Sequence, residues 1–216
     1  MLSIQTSEQT GNSMTHILIL YYSRHGSTLA LAEQIARGVE EIQGAVALLR
    51  TVPEILVDGV KSGAIPETGA PFVTEDDLRT CDGLALGSPT RFGTMGAPLK
   101  HFLEHTTGLW ISGALSGKPA IVFTSTASQH GGQEATLLSL MLPLLHHGMV
   151  LLGIPYTQPE LNTTRRGGSP YGASHVSGPE NSTRLADEET RLCRALGKRL
   201  ALAAGALCPN GKRVIA

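Results

Sequence analysis

"HILILYYSRHGSTLALAEQIARGVEE", residues 16–41, is the stretch whose reading decides the fold. It opens as a continuous apolar run that stops at Ser23. After Thr28 a different period takes over, with Leu29, Ala32, Ile35, Ala36 and Val39 on one helical face. A short apolar run without alternation suits a parallel strand buried on both sides, and the repeat behind it is an amphipathic helix. The hinge between them reads Ser23-Arg24-His25-Gly26-Ser27-Thr28. The free N–H groups and the dipole of a helix N-terminus favour an anion, and the hydroxyls of Ser23, Ser27 and Thr28 add donors. Such a hinge suits a phosphate, with an ordinary helix cap as the plainer alternative.

Working outward, four more apolar runs follow at the spacing of a βα repeat: residues 45–52, 83–89, 120–126 and 150–155. Helical patterns lie between them, and one on a Leu192–Leu207 stripe closes the chain. The alternation predicts an α/β fold, an open doubly wound parallel sheet of five strands with helices on both faces. Residues 53–74 are rich in Pro and Gly and read as a loop before a short helix capped by Thr74. Residues 157–183 also read as loop, long enough to be functional or an assembly element. Residues 1–15 are polar and are expected to be a disordered extension before a domain over 16–207, with 208–216 as a tail. The segment 133–147, "QEATLLSLMLPLLHH", is apolar almost all round despite Pro143, which predicts a helix that is interior or at a subunit interface.

The 216 residues carry 17 basic and 18 acidic side chains, a net charge of −1, which argues against a nucleic-acid or anionic-membrane surface. No apolar run is long enough to span a membrane, and the N-terminus lacks the form of a signal peptide. Cys81, Cys193 and Cys208 are an odd number without CxxC spacing and read as reduced thiols of a cytoplasmic protein. Cys193 and Arg199 match the C-x5-R spacing of a cysteine phosphatase loop. The leucines at 192, 196 and 200 instead place both on an amphipathic helix, which excludes that loop. No metal-binding cluster stands out.

In a sheet of this kind, ligands sit beyond the carboxyl ends of the strands. Three polar loops follow strands there: 23–28, 88–93 and 125–132. None is GxxxxGK[ST] or GxGxxG; "SGALSGKP" (112–119) matches the former only faintly. Their convergence on one pocket is the signal, stronger than any single loop.

The stretches "LYYSRHGST" (20–28), "GSPTRFG" (87–93), "GLW" (108–110), "GALSGKPA" (113–120), "FTSTASQHGGQE" (123–134), "PLLHHGM" (143–149) and "RGGSPYGAS" (166–174) resemble the flavodoxin-like, WrbA-type NAD(P)H:quinone oxidoreductases. The resemblance runs over nearly the whole chain beyond the N-terminal tail. It implies a flavodoxin-like strand order 2-1-3-4-5 and FMN as cofactor, with NADH or NADPH as cosubstrate and a quinone as acceptor. The all-round apolar segment 133–147 and the long 157–183 loop, which a monomer would leave exposed, predict a homotetramer built as a dimer of dimers. Ser23, Arg24, His25, Gly26, Ser27 and Thr28 would hold the FMN phosphate. Pro89, Thr90, Arg91, Phe92 and Gly93 would line the ring, mostly through backbone groups. Ser125, Thr126, Ala127, Ser128, Gln129, His130 and Gly131 would wrap the pyrimidine side and ribityl chain. His146 would complete the pocket from a neighbouring subunit. His25 and Trp110 fall on the substrate side, Trp110 as an aromatic wall where nicotinamide and quinone take turns. No side chain is expected to act as a catalyst, because the flavin carries the chemistry. The turnover implied is ping-pong; a one-electron carrier and a non-catalytic flavin-binding scaffold are the alternatives.

Overall fold

The computed structural model describes residues 14–56, 59–60 and 69–215. Strand β1 (Thr15–Tyr21) leads into α1 (Ser27–Glu40) and β2 (Ala45–Thr51). A two-stranded hairpin, β3 (Ile55–Leu56) and β4 (Gly59–Val60), lies within the predicted 53–74 loop. Next come α2 (Glu75–Thr80), β5 (Gly83–Pro89), α3 (Ala97–Glu104), α4 (Thr107–Ile111) and β6 (Pro119–Thr126). The chain ends with α5 (Gln133–His146), β7 (Val150–Leu151), α6 (Glu160–Thr163), β8 (Ala173–Val176) and α7 (Asp187–Leu207). Thr74 caps α2 as expected: its hydroxyl accepts the Asp77 N–H while the Asp77 carboxylate accepts the Thr74 N–H.

The main sheet is parallel throughout, in the order β2-β1-β5-β6-β7, with β8 also paired to β6. This is the 2-1-3-4-5 order of a flavodoxin-like fold with one extra strand. Strand β1 shows why both faces are covered. Ile17 and Ile19 pack with Leu31 and Ile35 of α1 and Leu192, Leu196 and Leu200 of α7. Leu18 and Leu20 pack on the opposite side with Leu99, Leu109, Leu137, Leu140 and Leu144. Each fully buried Leu or Ile contributes about 1.5–3 kcal/mol. On the first face α1 and α7 cross in backbone contact: a Cβ at Gly197 would collide with the Ile35 carbonyl, and one at Gly38 with that of Arg194.

The structure corrects the fifth strand. The predicted 150–155 strand ends at Leu151, where the chain leaves the sheet and Ile154 instead donates its N–H to the Pro170 carbonyl. The place beside the far half of β6 is taken by β8, in register from Phe123↔Ala173 to Thr126↔Val176. The 157–183 segment is therefore not a single loop, since it contains α6 and β8. Strand β8 reads Ala-Ser-His-Val and buries Ser174 and His175, so it has no apolar run to betray it.

Two further expectations change. Trp110, expected as an aromatic wall on the substrate side, lies in the short helix α4. The extension expected over 1–15 lies outside the described residues except at its end, and Thr15 already belongs to β1. In the tail, Arg213 donates to the carbonyls of Gly113 and Ser116, tying residues 208–215 back to the domain. Among the described residues no helix is long and apolar enough to cross a membrane.

Candidate functional site

Three strands end side by side at the carboxyl edge, and the chain beyond each of them folds over the same spot. Helix α1 starts at Gly26, which is left-handed (φ +89°) and brings no side chain to the N-cap; the first turn carries no acidic residue. A Cβ at Gly26 would also fall 3.0 Å from Cγ2 of Thr183. The Leu29 N–H is taken by the Ser23 hydroxyl at 3.2 Å and the Ala30 N–H by the Gly26 carbonyl at 2.9 Å. The N–H groups of Ser27 and Thr28 at the head of the helix are left for an anion.

The neighbouring loops are laced to this one. The Thr28 and Ser125 hydroxyls lie 2.9 Å apart, and Thr90 donates its N–H to the Ser125 carbonyl at 2.9 Å. The Thr136 hydroxyl at the start of α5 donates to that of Thr90 at 2.7 Å. The result is a cavity of about 210 Å³ lined by Ser23, Arg24, His25, Ser27, Thr28, Pro89, Thr90, Arg91, Ser125, Thr126 and Ala127, together with Ser177 and Asn181. Ser27, Thr28, Ser125 and Thr126 are buried, while Arg24, His25 and Arg91 lie exposed at the rim. Buried hydroxyls, an open helix N-terminus and Arg24 make a fitting seat for a phosphate monoester.

Most of the expected phosphate-side residues thus come together; the others do not line this cavity. Gly26 shapes the turn from behind. Phe92 and Gly93 are the central pair of a tight hairpin turn closed by mutual backbone bonds of Arg91 and Thr94, and both are left-handed (φ +51° and +80°). Phe92 stands wholly in solvent, with relative exposure 106%. Ser128, Gln129 and His130 are exposed, Gly131 turns back onto Ser128, and the Gln129 amide donates to the Arg166 carbonyl. His146 ends α5, a whole helix length from Gln133, or roughly 20 Å at 1.5 Å per residue. Trp110 is 53% exposed near that same end, where the Thr106 hydroxyl meets Nε2 of His147 at 3.0 Å. Neither His146 nor Trp110 reaches the cavity of its own chain.

Sequence reasoning missed the fourth wall. Ser177 and Asn181 follow the unrecognised strand β8; Ser177 donates its N–H to the Thr126 carbonyl at 2.8 Å, and Asn181 is left-handed (φ +52°). A run of small polar residues after a strand at this edge is the signal, but it needs β8 to be seen as a strand.

A larger groove, about 890 Å³, runs along α7 away from the strand ends. Three of its four cations are already engaged: Arg191 with Glu160, Arg194 with Gln34, and Lys198 with Glu41. The groove is a solvated helix face.

Residues 15–157 match the model of a family described as NADPH-dependent FMN reductase. A NAD(P)H dehydrogenase (quinone) of Geotalea daltonii is 44% identical over 193 residues, covering 86% of this chain and 94% of the relative. One of Geobacter sulfurreducens is 43% identical over 201 residues, covering 89% and 98%. Among solved structures, a WrbA-like flavodoxin from Agrobacterium tumefaciens superposes with a TM-score of 0.63 at 22% identity, over 89% of this chain and 98% of that one. The apo form of the NADH:FMN oxidoreductase EmoB gives 0.62 at 17% identity, over 93% and 95%. At such identities the two structures speak for the fold.

Proposed function

The chain belongs to the NADPH-dependent FMN reductase family, and from that membership we propose that it is an enzyme, an FMN-dependent NAD(P)H dehydrogenase that reduces quinones by two electrons. The observation that supports this most is the converging set of loops over the uncapped start of α1, a seat for one terminal phosphate. Ser23, Ser27 and Thr28 would bind that phosphate. The backbone of Thr90 to Gly93 and of Ser125 to Gly131 would hold the ring and the ribityl chain. FMN bound there would supply two-electron redox chemistry between NAD(P)H and the quinone, and one site shared by the two substrates would make turnover ping-pong. The protein's own task is to bind, orient and exclude.

A cavity of about 210 Å³ is smaller than the 300–1,000 Å³ usual for ligand sites, so it encloses the phosphate end and leaves the ring near exposed Phe92. The outer wall then comes from another copy. Along α5, Leu138, Leu142 and Leu145 are exposed, and Trp110 and Ile111 of α4 continue this apolar face. We propose a homotetramer, a dimer of dimers that buries this face and brings a neighbour's Trp110, and its His146, to the ring. We place the protein in the cytoplasm, a reading supported by three buried cysteines that are all free.

The test begins with the purified protein. It should be yellow, bind FMN more tightly than FAD in calorimetry, and oxidise NADH or NADPH with benzoquinone. Double-reciprocal plots should give parallel lines. Tighter FAD binding overturns the phosphate seat, and intersecting lines overturn the shared site. Light scattering at the 22.8 kDa monomer mass refutes the tetramer, and an oligomer distribution of dilute apoprotein that FMN leaves unchanged counts against a site shared between copies.

A further inference from the structure

Behind the candidate phosphate seat lies a buried polar cluster that the proposed chemistry does not use. His175 of β8 and Glu189 of α7 are both fully enclosed, with Nδ1 2.8 Å from Oε2. The Glu189 carboxylate also accepts the N–H groups of Gly167 at 2.9 Å, Val176 at 3.1 Å and Ala186 at 2.7 Å. Three backbone donors fix it as a carboxylate. On the other side of the ring, Nε2 lies 2.8 Å from the Ser182 carbonyl oxygen. That oxygen only accepts, and so does the carboxylate. A neutral imidazole has one N–H and cannot serve both, so His175 carries two protons. Burial opposes this charge; Glu189 and the Ser182 carbonyl outweigh burial and the nearby Arg166, holding the imidazole pKa above its ordinary value.

The same Ser182 carbonyl is where the Ser27 hydroxyl rests, at 3.2 Å. Ser27 heads α1 in the phosphate seat. While its proton points at Ser182, its lone pairs face the cavity, the wrong way for an anion. To serve a phosphate the hydroxyl must swing round and leave Ser182. The carbonyl bears that loss because the shorter, charge-assisted bond from His175 still satisfies it.

We propose that His175, doubly protonated against Glu189, is a positioning residue for flavin phosphate: by holding the Ser182 carbonyl it frees the Ser27 hydroxyl to bind the anion. Selectivity for a phosphorylated flavin thus depends on a pair that never touches it. The inference rests on the reading of residues 23–28 as the phosphate seat, and riboflavin, which lacks only the phosphate, separates the two ideas.

The experiment measures dissociation constants of FMN and riboflavin for the apoprotein by fluorescence quenching at pH 8. If the parent protein shows no preference for FMN, the seat itself is misread. Given a preference, Ser27→Ala should cut it about tenfold, the scale of one hydrogen bond to a charged group. His175→Asn keeps a donor at the Nδ1 position for Glu189 but none at the Nε2 position, so it should cut the preference similarly with riboflavin affinity unchanged. His175→Gln keeps the donor to Ser182 and should restore most of it. A preference unchanged in Ser27→Ala or His175→Asn, or equal losses in His175→Asn and His175→Gln, overturns the proposal. The parent protein gives a readout independent of variant folding. The Nε2 proton resonance of His175 should move downfield with FMN and stay put with riboflavin, because only phosphate takes Ser27 away from the shared carbonyl. Equal movement with both flavins, or none, overturns it too.

Discussion

Replacing Gly26 by alanine isolates the contribution of one backbone angle to the candidate flavin site. Gly26 holds φ +89° and ψ −16° at the N-cap of α1. An L-residue in the left-handed region carries roughly 1–2 kcal/mol of strain. Its Cβ would also lie 3.0 Å from Cγ2 of Thr183, so the 181–183 stretch must give way by a few tenths of an ångström. The cost appears in one of two places. If the loop keeps its shape, stability falls, and the melting temperature drops by about 2–8 °C at 2–4 °C per kcal/mol for a chain of this size. If the loop relaxes, the N–H groups of Ser27 and Thr28 turn off the phosphate, and FMN affinity falls by up to about thirtyfold. Gly113→Ala is the control. Gly113 is also left-handed (φ +62°), but a Cβ there meets nothing within 4 Å. It should lower the melting temperature and leave FMN binding alone. The assay pairs apoprotein melting curves with FMN titration on both variants. The reasoning fails if Gly26→Ala matches the parent in both quantities, or if its summed loss is no larger than that of Gly113→Ala.

Three other perturbations follow from the same structure. Phe92→Asn puts a residue tolerant of left-handed backbone into the exposed turn and should raise the apoprotein melting temperature by about 2–4 °C while slowing quinone reduction; a lower melting temperature refutes the strain. Gly197→Ala should destabilise severely, by 3 kcal/mol or more on the order of a core collision, because its Cβ meets the Ile35 carbonyl where α1 and α7 cross; a denaturation midpoint equal to the parent's refutes the contact. Stability should also depend on pH through the buried pair. His175, raised in the folded state, contributes stability present in full below its ordinary 6.5 and lost as pH rises through the folded pKa. Glu189, lowered by His175 and the Ala186 and Val176 amides against the opposing pull of burial, contributes stability present above its ordinary 4.5 and lost as pH falls through the folded pKa. The parent minus a His175→Gln, Glu189→Gln variant should give a plateau spanning 4.5–6.5 with a fall on either side; a flat difference refutes the pairing.

Much of this architecture is legible in the sequence because burial on two faces leaves a mark. Strands β1, β2, β5 and β6 are apolar runs, and the α1 and α7 faces repeat at 3.6 residues, so their positions follow from patterning alone. Strand β8 escapes for the opposite reason. Two of its three buried residues are Ser174 and His175, whose polar groups are satisfied by Gln133 at 2.6 Å and by Glu189. Partners 41 and 14 residues away cannot be read from a local window. The site divides in the same way. Hydroxyls clustered at a strand–helix hinge mark the candidate phosphate seat, whereas Ser177 and Asn181 reach it only because β8 pairs in register with β6.

The two halves of the candidate site are held by different kinds of structure, and this bears on what each can do. The phosphate end rests on short, mutually bonded hydroxyls and a 14-residue helix whose face packs on α7, so it is built before any ligand arrives. The ring end is a left-handed Phe92 in open solvent beside four exposed residues, 127–130. A bulky side chain kept at positive φ costs on the order of 1–3 kcal/mol and persists where the surroundings or a partner make use of it. Packed apolar contacts close a pocket only when something covers them, and here the apolar cover lies on α5 and α4, facing away from the cavity of the same chain. A rigid anion seat with an open ring edge therefore separates retention of the cofactor from access to it. On the proposed reading, the hydroxyls and backbone amides would set how long a phosphorylated flavin stays. A copy seated against Phe92, Trp110 and the α5 leucines, as proposed, would set which electron donors and acceptors can lie flat on its ring.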